Sequence, residues 1–155
     1  GAGKKSVENN LLAELKNNFY SYSVTSHKHF PEIDQEIKKV NKKVSFTFIP
    51  NLLPIFCGLQ SNIYIDHKDF ELNEIREVID SYYDGELFIK TKNEKPVKLS
   101  EVQGTNNVFI NIFEDYEKKK ILIISSIDNL VKGAAGQAIQ NMNLMFGFKE
   151  SESLI

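Results

Sequence analysis

A run of apolar residues in the last third of the chain constrains the fold more than any other feature: Lys120-Ile121-Leu122-Ile123-Ile124-Ser125. A half-exposed strand alternates apolar and polar residues, whereas this run is apolar without interruption from Ile121 to Ile124. Continuous apolar runs of this kind are typical of strands that are buried on both faces. We therefore predict a sheet with other elements packed on it.

Alternation and helical spacing in the rest of the chain predict the partners of this strand. The further predicted strands cover residues 19–25, 44–49, 60–66, 87–91 and 108–113. The predicted helices cover residues 6–17, 31–42, 72–83 and 130–146, the last capped by Ser126 or Asp128 and closed by Gly147. The Tyr82-Tyr83 pair is assigned to the core. This order predicts an α+β fold, a mixed or antiparallel sheet covered by helices, in a single domain of residues 1–155.

Charge and cysteine content exclude several classes of function. The chain has 155 residues, and its 19 basic and 21 acidic side chains leave a net charge of −2, which gives no field to attract nucleic acid or an anionic membrane. Its single cysteine, Cys57, cannot form an internal disulfide, and no apolar run approaches the ~20 residues of a membrane span. We therefore expect a cytoplasmic protein with no nucleic-acid or membrane partner.

The amino terminus, Gly1-Ala2-Gly3-Lys4-Lys5, has neither an initiator methionine nor the apolar core of a signal peptide. We therefore expect the chain to be a piece of a longer protein whose chemistry lies partly elsewhere.

Two histidines, His27 and His29, flank Lys28 just before a predicted helix. In an extended segment residues i and i+2 point to the same side, so both imidazoles can face one cleft and exchange protons there. The alternative is a solvated loop. Glu32 can orient an imidazole or simply complement the helix dipole as a first-turn acid. We predict no metal site, because Cys57 and His67 lack any ligand spacing.

The final predicted helix carries small residues in its first half, from Gly133 to Gly136. Glycine inside a helix costs up to ~1 kcal/mol relative to alanine, so another surface must come close. That surface is either the domain's own interior, or a neighbouring domain or cofactor. The glycines match no dinucleotide-binding or phosphate-loop motif, so no nucleotide site is assigned from the pattern.

Cys57 follows Phe56 in a proline-containing loop. A nucleophile and a small buried apolar side chain are both open interpretations of this residue, and the second is the more common role of a lone cysteine.

Four segments, in order, carry a family resemblance. The sequence from Ile127 to Gly147, IDNLVKGAAGQAIQNMNLMFG, resembles the carboxyl-terminal signature of N-acetyl-gamma-glutamyl-phosphate reductases. The segments at 1–5, 27–33 and 103–106 resemble that family's SGAGR/K, H-R-H-x-P-E-I and G-[TS]-N motifs. The resemblance covers nearly the whole chain.

The resemblance implies a glyceraldehyde-3-phosphate-dehydrogenase-like carboxyl-terminal domain, whose sheet forms the interface of a homo-oligomer and whose last helix packs on a nucleotide-binding domain absent from this chain. It implies reduction of N-acetylglutamyl 5-phosphate to the semialdehyde with NADPH, through a thioacyl enzyme on a cysteine of the absent half. The residues that it places at the site are His27 and His29 for proton exchange, Lys28 and Glu32 for substrate, and Gly1, Gly3, Asn129, Lys132 and Gly133 for the cofactor. The chain alone is then expected to be inactive.

The chain departs from that family in the segment where P-H-L-x-P-x-x-R-G is usual, because Asn51 replaces the histidine and Cys57 the arginine. A neutral thiol cannot grip a carboxylate or phosphate as an arginine does. The departure leaves a rival interpretation open, a binding or dimerisation module that kept the fold and lost the reductase chemistry.

Overall fold

The computed structural model describes residues 16–66 and 70–154. The chain divides into two compact units, one ending at Phe56 and the other running from Cys57. Three residues named above lie outside the described residues: Gly1, Gly3 and His67. The helix predicted over 6–17 also lies outside them as far as position 15, and its last two residues, Lys16 and Asn17, form a turn. That residues 1–155 form a single domain stays a prediction.

The first unit contains a small two-stranded ladder. Strand β1 (Tyr20–Ser21) pairs antiparallel with β2 (Asn51–Leu52), and the hydroxyl of Ser21 donates a hydrogen bond to Asn51 Oδ1 at 2.7 Å. The strand predicted over 19–25 is therefore mostly wrong. Its alternation continues past Ser21, but Ser23 has a φ of 45°, which turns the chain out of the extended conformation.

Helix α1 (Phe30–Val40) agrees closely with the prediction over 31–42. Pro31 lies in its first turn, where the missing N–H costs no hydrogen bond. Lys38 and Lys39 lie in its last turn and pair with Asp34 and Glu36 at 2.7 Å each.

The strand predicted over 44–49 is wrong: no ladder in the described residues includes this segment. Its alternating aromatic residues pack on the turn and helix of the same unit. Phe46 stacks on Phe30 with ring centroids 5.0 Å apart, and Phe48 meets His27 edge-on at 5.2 Å. In this segment, alternate side chains are therefore partly buried by contacts with a helix and a turn, and not by pairing in a sheet.

The second unit is built on a four-stranded sheet in the order β3-β6-β5-β4. The strands are β3 (Leu59–Asp66), β4 (Ile89–Thr91), β5 (Val108–Glu114) and β6 (Lys120–Ile127). The pairs β3–β6 and β5–β6 are antiparallel and β4–β5 is parallel, so the sheet is mixed, as predicted. The prediction of strand from Leu87 was two residues too long at its start.

The core of this unit lies against β5 and β6. The buried apolar side chains are Phe88, Val97, Val102, Phe109, Ile112 and Ile121. The apolar run that begins at Ile121 forms the inner strand β6, with neighbours on both sides and most positions only partly exposed. Tyr82, assigned to the core from the sequence, is 76% exposed and meets the ring of Tyr83 edge-on with centroids 4.9 Å apart, so that prediction is wrong.

Helix α2 (Leu72–Tyr82) opens with a capping box in which Glu71 and Glu74 satisfy each other's backbone N–H groups. Arg76 Nε and Nη2 donate to the carbonyl of Ile112 at 3.2 and 2.8 Å, which ties this helix to β5.

The last helix is not regular over the predicted range of 130–146. A π-helical turn covers Val131–Ala135, and α3 then runs over Gly136–Phe146 to Gly147, whose φ of 71° ends the helix as predicted. A side chain at Gly136 would collide with Asn106 and Val131, so this glycine is required by packing within the unit.

Strand β3 is exposed along its whole length. Leu59, Ile63 and Ile65 lie on one face of the sheet, because strand residues two apart share a face, and each is 45% exposed. This apolar row is therefore partly open to solvent.

Candidate functional site

The two predicted catalytic histidines lie side by side in the first unit. The His27 and His29 rings are 5.0 Å apart between centroids, and the backbone N–H of His29 donates to His27 Nδ1 at 3.2 Å. The segment is a turn and not the extended chain that the sequence suggested. The turn still brings the imidazoles together, since it closes on the first residues of α1 through the bond from Phe30 N–H to the His27 carbonyl at 3.0 Å.

Aromatic neighbours fix the orientation of the His27 ring. Tyr22 meets it edge-on at 5.5 Å and Phe48 at 5.2 Å, in addition to the His29 ring. His27 is partly buried whereas His29 is exposed. Of the two imidazoles, His27 is therefore the more closely packed.

Lys28 and Glu32 are exposed beside this pair. Within residues 16–66 and 70–154, neither side chain has a recorded hydrogen bond or ion pair, so Glu32 does not orient an imidazole here. Both charges are available to a ligand.

Asn51, which stands where the resembled family has a histidine, is used for structure. Its Oδ1 accepts the Ser21 hydroxyl and its Nδ2 donates to the carbonyl of Ile49 at 3.2 Å. The side chain therefore pins the β1–β2 ladder.

A buried carboxylate organises three separate segments of the second unit. Asp128, 2% exposed, accepts the backbone N–H of Leu130 at 2.7 Å and of Val131 at 3.1 Å, which confirms it as the predicted cap. It also accepts the N–H of Gly104 at 2.7 Å, and the Cys57 thiol lies 3.5 Å from Oδ2. The other predicted cap, Ser126, has a buried hydroxyl with no partner in the described residues.

The neighbouring groups move the pKa values of this carboxyl and thiol apart. Burial alone would raise the pKa of Asp128, but the N–H groups of Gly104, Leu130 and Val131 outweigh it and hold the pKa below its usual value. Desolvation, and then the hydrogen bond and charge of Asp128, raise the pKa of the Cys57 thiol. Cys57 is partly buried and is thus kept as a thiol, opposite to what a nucleophile needs.

The residues predicted to contact a cofactor differ in which of their polar atoms remain free of hydrogen bonds to the rest of the described chain. Asn129 Oδ1 accepts the N–H of Gly58 at 2.6 Å, which leaves its Nδ2 available, and Gly133 is exposed. The Lys132 ammonium donates to Gln140 Oε1 at 2.7 Å and lies 5.6 Å from the Phe88 ring centroid. Desolvation lowers the pKa of Lys132.

Gln140 belongs to a buried amide network that sequence reasoning missed. It accepts from Asn106 Nδ2 at 2.9 Å and donates to Glu150 at 2.6 Å, while Asn143 donates to the carbonyls of Glu150 and Glu152. The run of amides in the last helix was a signal for it, although Gln137 and Asn141 of the same helix bond each other at the surface.

Two further findings concern the described residues alone. No three histidine, cysteine, aspartate or glutamate side chains converge there as a metal site requires. Among the same residues, no helix is both long enough and apolar enough to span a membrane.

Comparison with known proteins defines the class to which this fold and site belong. Residues 1–129 match the family described as "Semialdehyde dehydrogenase, dimerisation domain", and the chain belongs to that family. Over 99% of its length it aligns with N-acetyl-gamma-glutamyl-phosphate reductases, as the resemblance predicted.

The relative from Methanocaldococcus jannaschii is 45% identical over 99% of this chain and 45% of its own length. The one from Clostridium botulinum is 41% identical over 99% of this chain and 46% of its own. A probable chloroplastic enzyme of the same name from Arabidopsis thaliana is 39% identical over 100% of this chain and 39% of its own. The chain spans less than half the length of these relatives.

Solved structures of aspartate semialdehyde dehydrogenases confirm the predicted fold. The Francisella tularensis structure superposes with a TM-score of 0.63 at 15% identity, covering 85% of this chain and 40% of that one. The Vibrio cholerae enzyme II gives 0.60 at 16% identity, over 77% and 37%. At these identities the likeness concerns the fold alone.

Proposed function

We propose that this chain is the carboxyl-terminal, catalytic and dimerisation half of a cytoplasmic reductase that converts N-acetylglutamyl 5-phosphate to N-acetylglutamate 5-semialdehyde with NADPH. The observation that carries the proposal is the packed, hydrogen-bonded His27 imidazole in the turn before α1, inside the segment that resembles the family's histidine motif. The alignment with named reductases over 99% of the chain supports it.

In this proposal the four candidate residues of the first unit, His27, Lys28, His29 and Glu32, have separate tasks. His27 exchanges a proton with, or donates a hydrogen bond to, the oxygen of the reacting acyl group, and His29 assists it. Lys28 attracts the anionic phosphate or carboxylate of the substrate with its free ammonium, and Glu32 accepts a hydrogen bond from the substrate. The acyl-accepting cysteine comes from the other half of the protein.

NADPH, when bound, supplies the hydride that reduces the acyl group. The free Nδ2 of Asn129 and the exposed backbone at Gly133 fit a role on one wall of its site, and the resemblance assigns Gly1 and Gly3 to the same cofactor. Lys132 would have to leave Gln140 to join them. Since no phosphate-binding glycine loop occurs in the sequence, the chain alone should bind NADPH only weakly; micromolar or tighter affinity in calorimetry would contradict this.

A fusion tests the activity. The amino-terminal half of the Methanocaldococcus jannaschii relative is joined to this chain, and the complete relative serves as the positive control. Turnover is measured as phosphate-dependent reduction of NADP⁺ by the semialdehyde. We expect His27→Ala to lower kcat about 100- to 10,000-fold with a smaller change in KM, and His29→Ala to do less.

The exposed Lys42 beyond α1 gives a control, Lys42→Ala, that should leave turnover unchanged. A larger loss for His29→Ala would assign the task to the other imidazole. No turnover by a folded, dimeric fusion would favour the rival proposal of a dimerisation module, which the replacement of arginine by Cys57 also supports.

Self-association is part of the same proposal. The apolar row of Leu59, Ile63 and Ile65 on β3 suits a sheet-to-sheet contact between two copies, and the dimerisation family supports that use.

A further inference from the structure

We propose that neutral His27 is locked with its proton on Nε2, so that it meets its ligand as a hydrogen-bond donor and not as a base. The ligand group that suits such a donor is an oxygen that carries or develops negative charge. The identity of that ligand as an acyl oxygen rests on the proposed function, but the locked form of the ring does not.

The backbone N–H of His29, two residues further along the chain, locks the His27 ring. The His29 N–H donates to His27 Nδ1 at 3.2 Å. A backbone N–H is always a donor, so Nδ1 must offer its lone pair. A neutral imidazole has one N–H and one bare nitrogen, and therefore the proton must lie on Nε2.

The packing of the ring keeps this arrangement from being averaged. Tyr22, His29 and Phe48 meet the His27 ring edge-on at 5.0 to 5.5 Å, so a flip of the imidazole would have to displace aromatic neighbours. In the described residues no partner is recorded for Nε2. The Nε2–H is therefore a positioned donor that lacks an acceptor.

A base would need the reverse arrangement. To accept a proton at Nε2, the ring would have to carry its own proton on Nδ1 and so lose the hydrogen bond from His29. The geometry thus favours stabilisation of negative charge on oxygen over removal of a proton.

Nitrogen NMR on the 155-residue chain, at a pH where the imidazoles are neutral, tests the lock directly. We expect the His27 Nδ1 signal at the position of a bare nitrogen and Nε2 at that of a protonated one, with little averaging. The exposed His29 ring gives the internal reference, an average of both forms. A His27 signal with the proton on Nδ1, or averaged like that of His29, would overturn the proposal.

Two variants at position 29 distinguish the effect of the backbone N–H on His27 from the effect of the His29 ring. His29→Ala keeps the N–H and should leave the His27 spectrum unchanged. His29→Pro removes the N–H and should release His27 into the averaged form. Because proline also restricts Lys28, the spectrum of the unsubstituted chain decides the matter if this variant does not fold.

Turnover of the fusion tests the donor role. A glutamine amide can place an N–H near the position of Nε2 but cannot act as a base, so His27→Gln should keep about 10- to 100-fold more kcat than His27→Ala. Equal losses for both would contradict the donor role. Absence of turnover in the unsubstituted fusion would instead contradict the proposed function, and the spectrum would still report on the lock.

Discussion

The carboxylate of Asp128 accepts the backbone N–H of Gly104 at 2.7 Å, across 24 positions of sequence. The same carboxylate caps the turn that leads into α3, so one buried side chain joins the loop before β5 to the start of the last helix. Asn129 extends the junction to Gly58, and Gln103 Nε2 adds a bond to the Cys57 carbonyl at 2.7 Å.

Removal of that carboxylate should destabilise the chain. Asp128→Ala leaves three backbone N–H groups without their charged acceptor, and we expect a loss of about 2–4 kcal/mol in the free energy of unfolding, measured by urea denaturation. Asp115 is the matched control, because it accepts the N–H groups of Lys119 and Lys120 in an exposed hairpin. Asp115→Ala should cost less; an equal or larger loss would contradict the special role of Asp128.

The stabilisation by Asp128 should depend on pH in a defined direction. Its pKa is lowered in the folded chain, so its contribution is fully present above the usual aspartate value of ~3.9 and is lost as pH falls through the lower folded value. The stability gap between the wild type and Asp128→Asn should therefore narrow below about pH 4. Urea denaturation midpoints of both proteins, measured from neutral pH to below about pH 4, test this prediction. A stability difference that widens on acidification would contradict it.

How much the sequence could predict depends on whether a feature is local. The strands β3, β5 and β6 were predicted to within two residues, and Asp128 was predicted as a cap, because alternation, apolar runs and caps are properties of neighbouring residues. The bond from Asp128 to Gly104 was not, since it depends on how distant segments meet. Phe46 and Phe48 show the same limit, because their alternation is real but their partners are a helix and a histidine.

The candidate site follows the same rule. His27 and His29 were singled out by residue type and spacing, yet the bond from His29 N–H to His27 Nδ1 depends on a turn that the alternating pattern did not predict.

Two glycines in the last helix should respond oppositely to alanine. A Cβ at Gly136 would collide with Asn106 and Val131, whereas at Gly133 the nearest atom is Ile127 Cδ1 at 3.5 Å. We expect Gly136→Ala to lower the free energy of unfolding by about 1–3 kcal/mol and Gly133→Ala to be neutral or stabilising by up to ~1 kcal/mol. Thermal unfolding of both variants checks the contrast, and equal effects would contradict it.

The apolar row on β3 should control self-association. Ile63→Lys puts a charge in the row of Leu59, Ile63 and Ile65, so we expect it to shift the chain from dimer to monomer at micromolar concentration in sedimentation velocity. Asn62→Lys adds the same charge on the opposite face of the same strand and should leave the dimer intact. A dimer that survives Ile63→Lys, or is lost equally in both variants, would place the interface elsewhere.

Cys57 should react slowly with alkylating agents, and a substitution at Asp128 can show how much of this slowness is electrostatic. The thiolate is the reactive form, and desolvation and the nearby Asp128 carboxylate raise the pKa of the thiol. The rate with iodoacetamide should therefore rise with pH through a midpoint above the usual cysteine value, and it should be slower than for the same chain in urea. Asp128→Asn removes the negative charge and should move that midpoint to lower pH. A uniform increase in rate with an unchanged midpoint would instead mean that the variant merely opens the loop, and the electrostatic account of Cys57 would then be wrong.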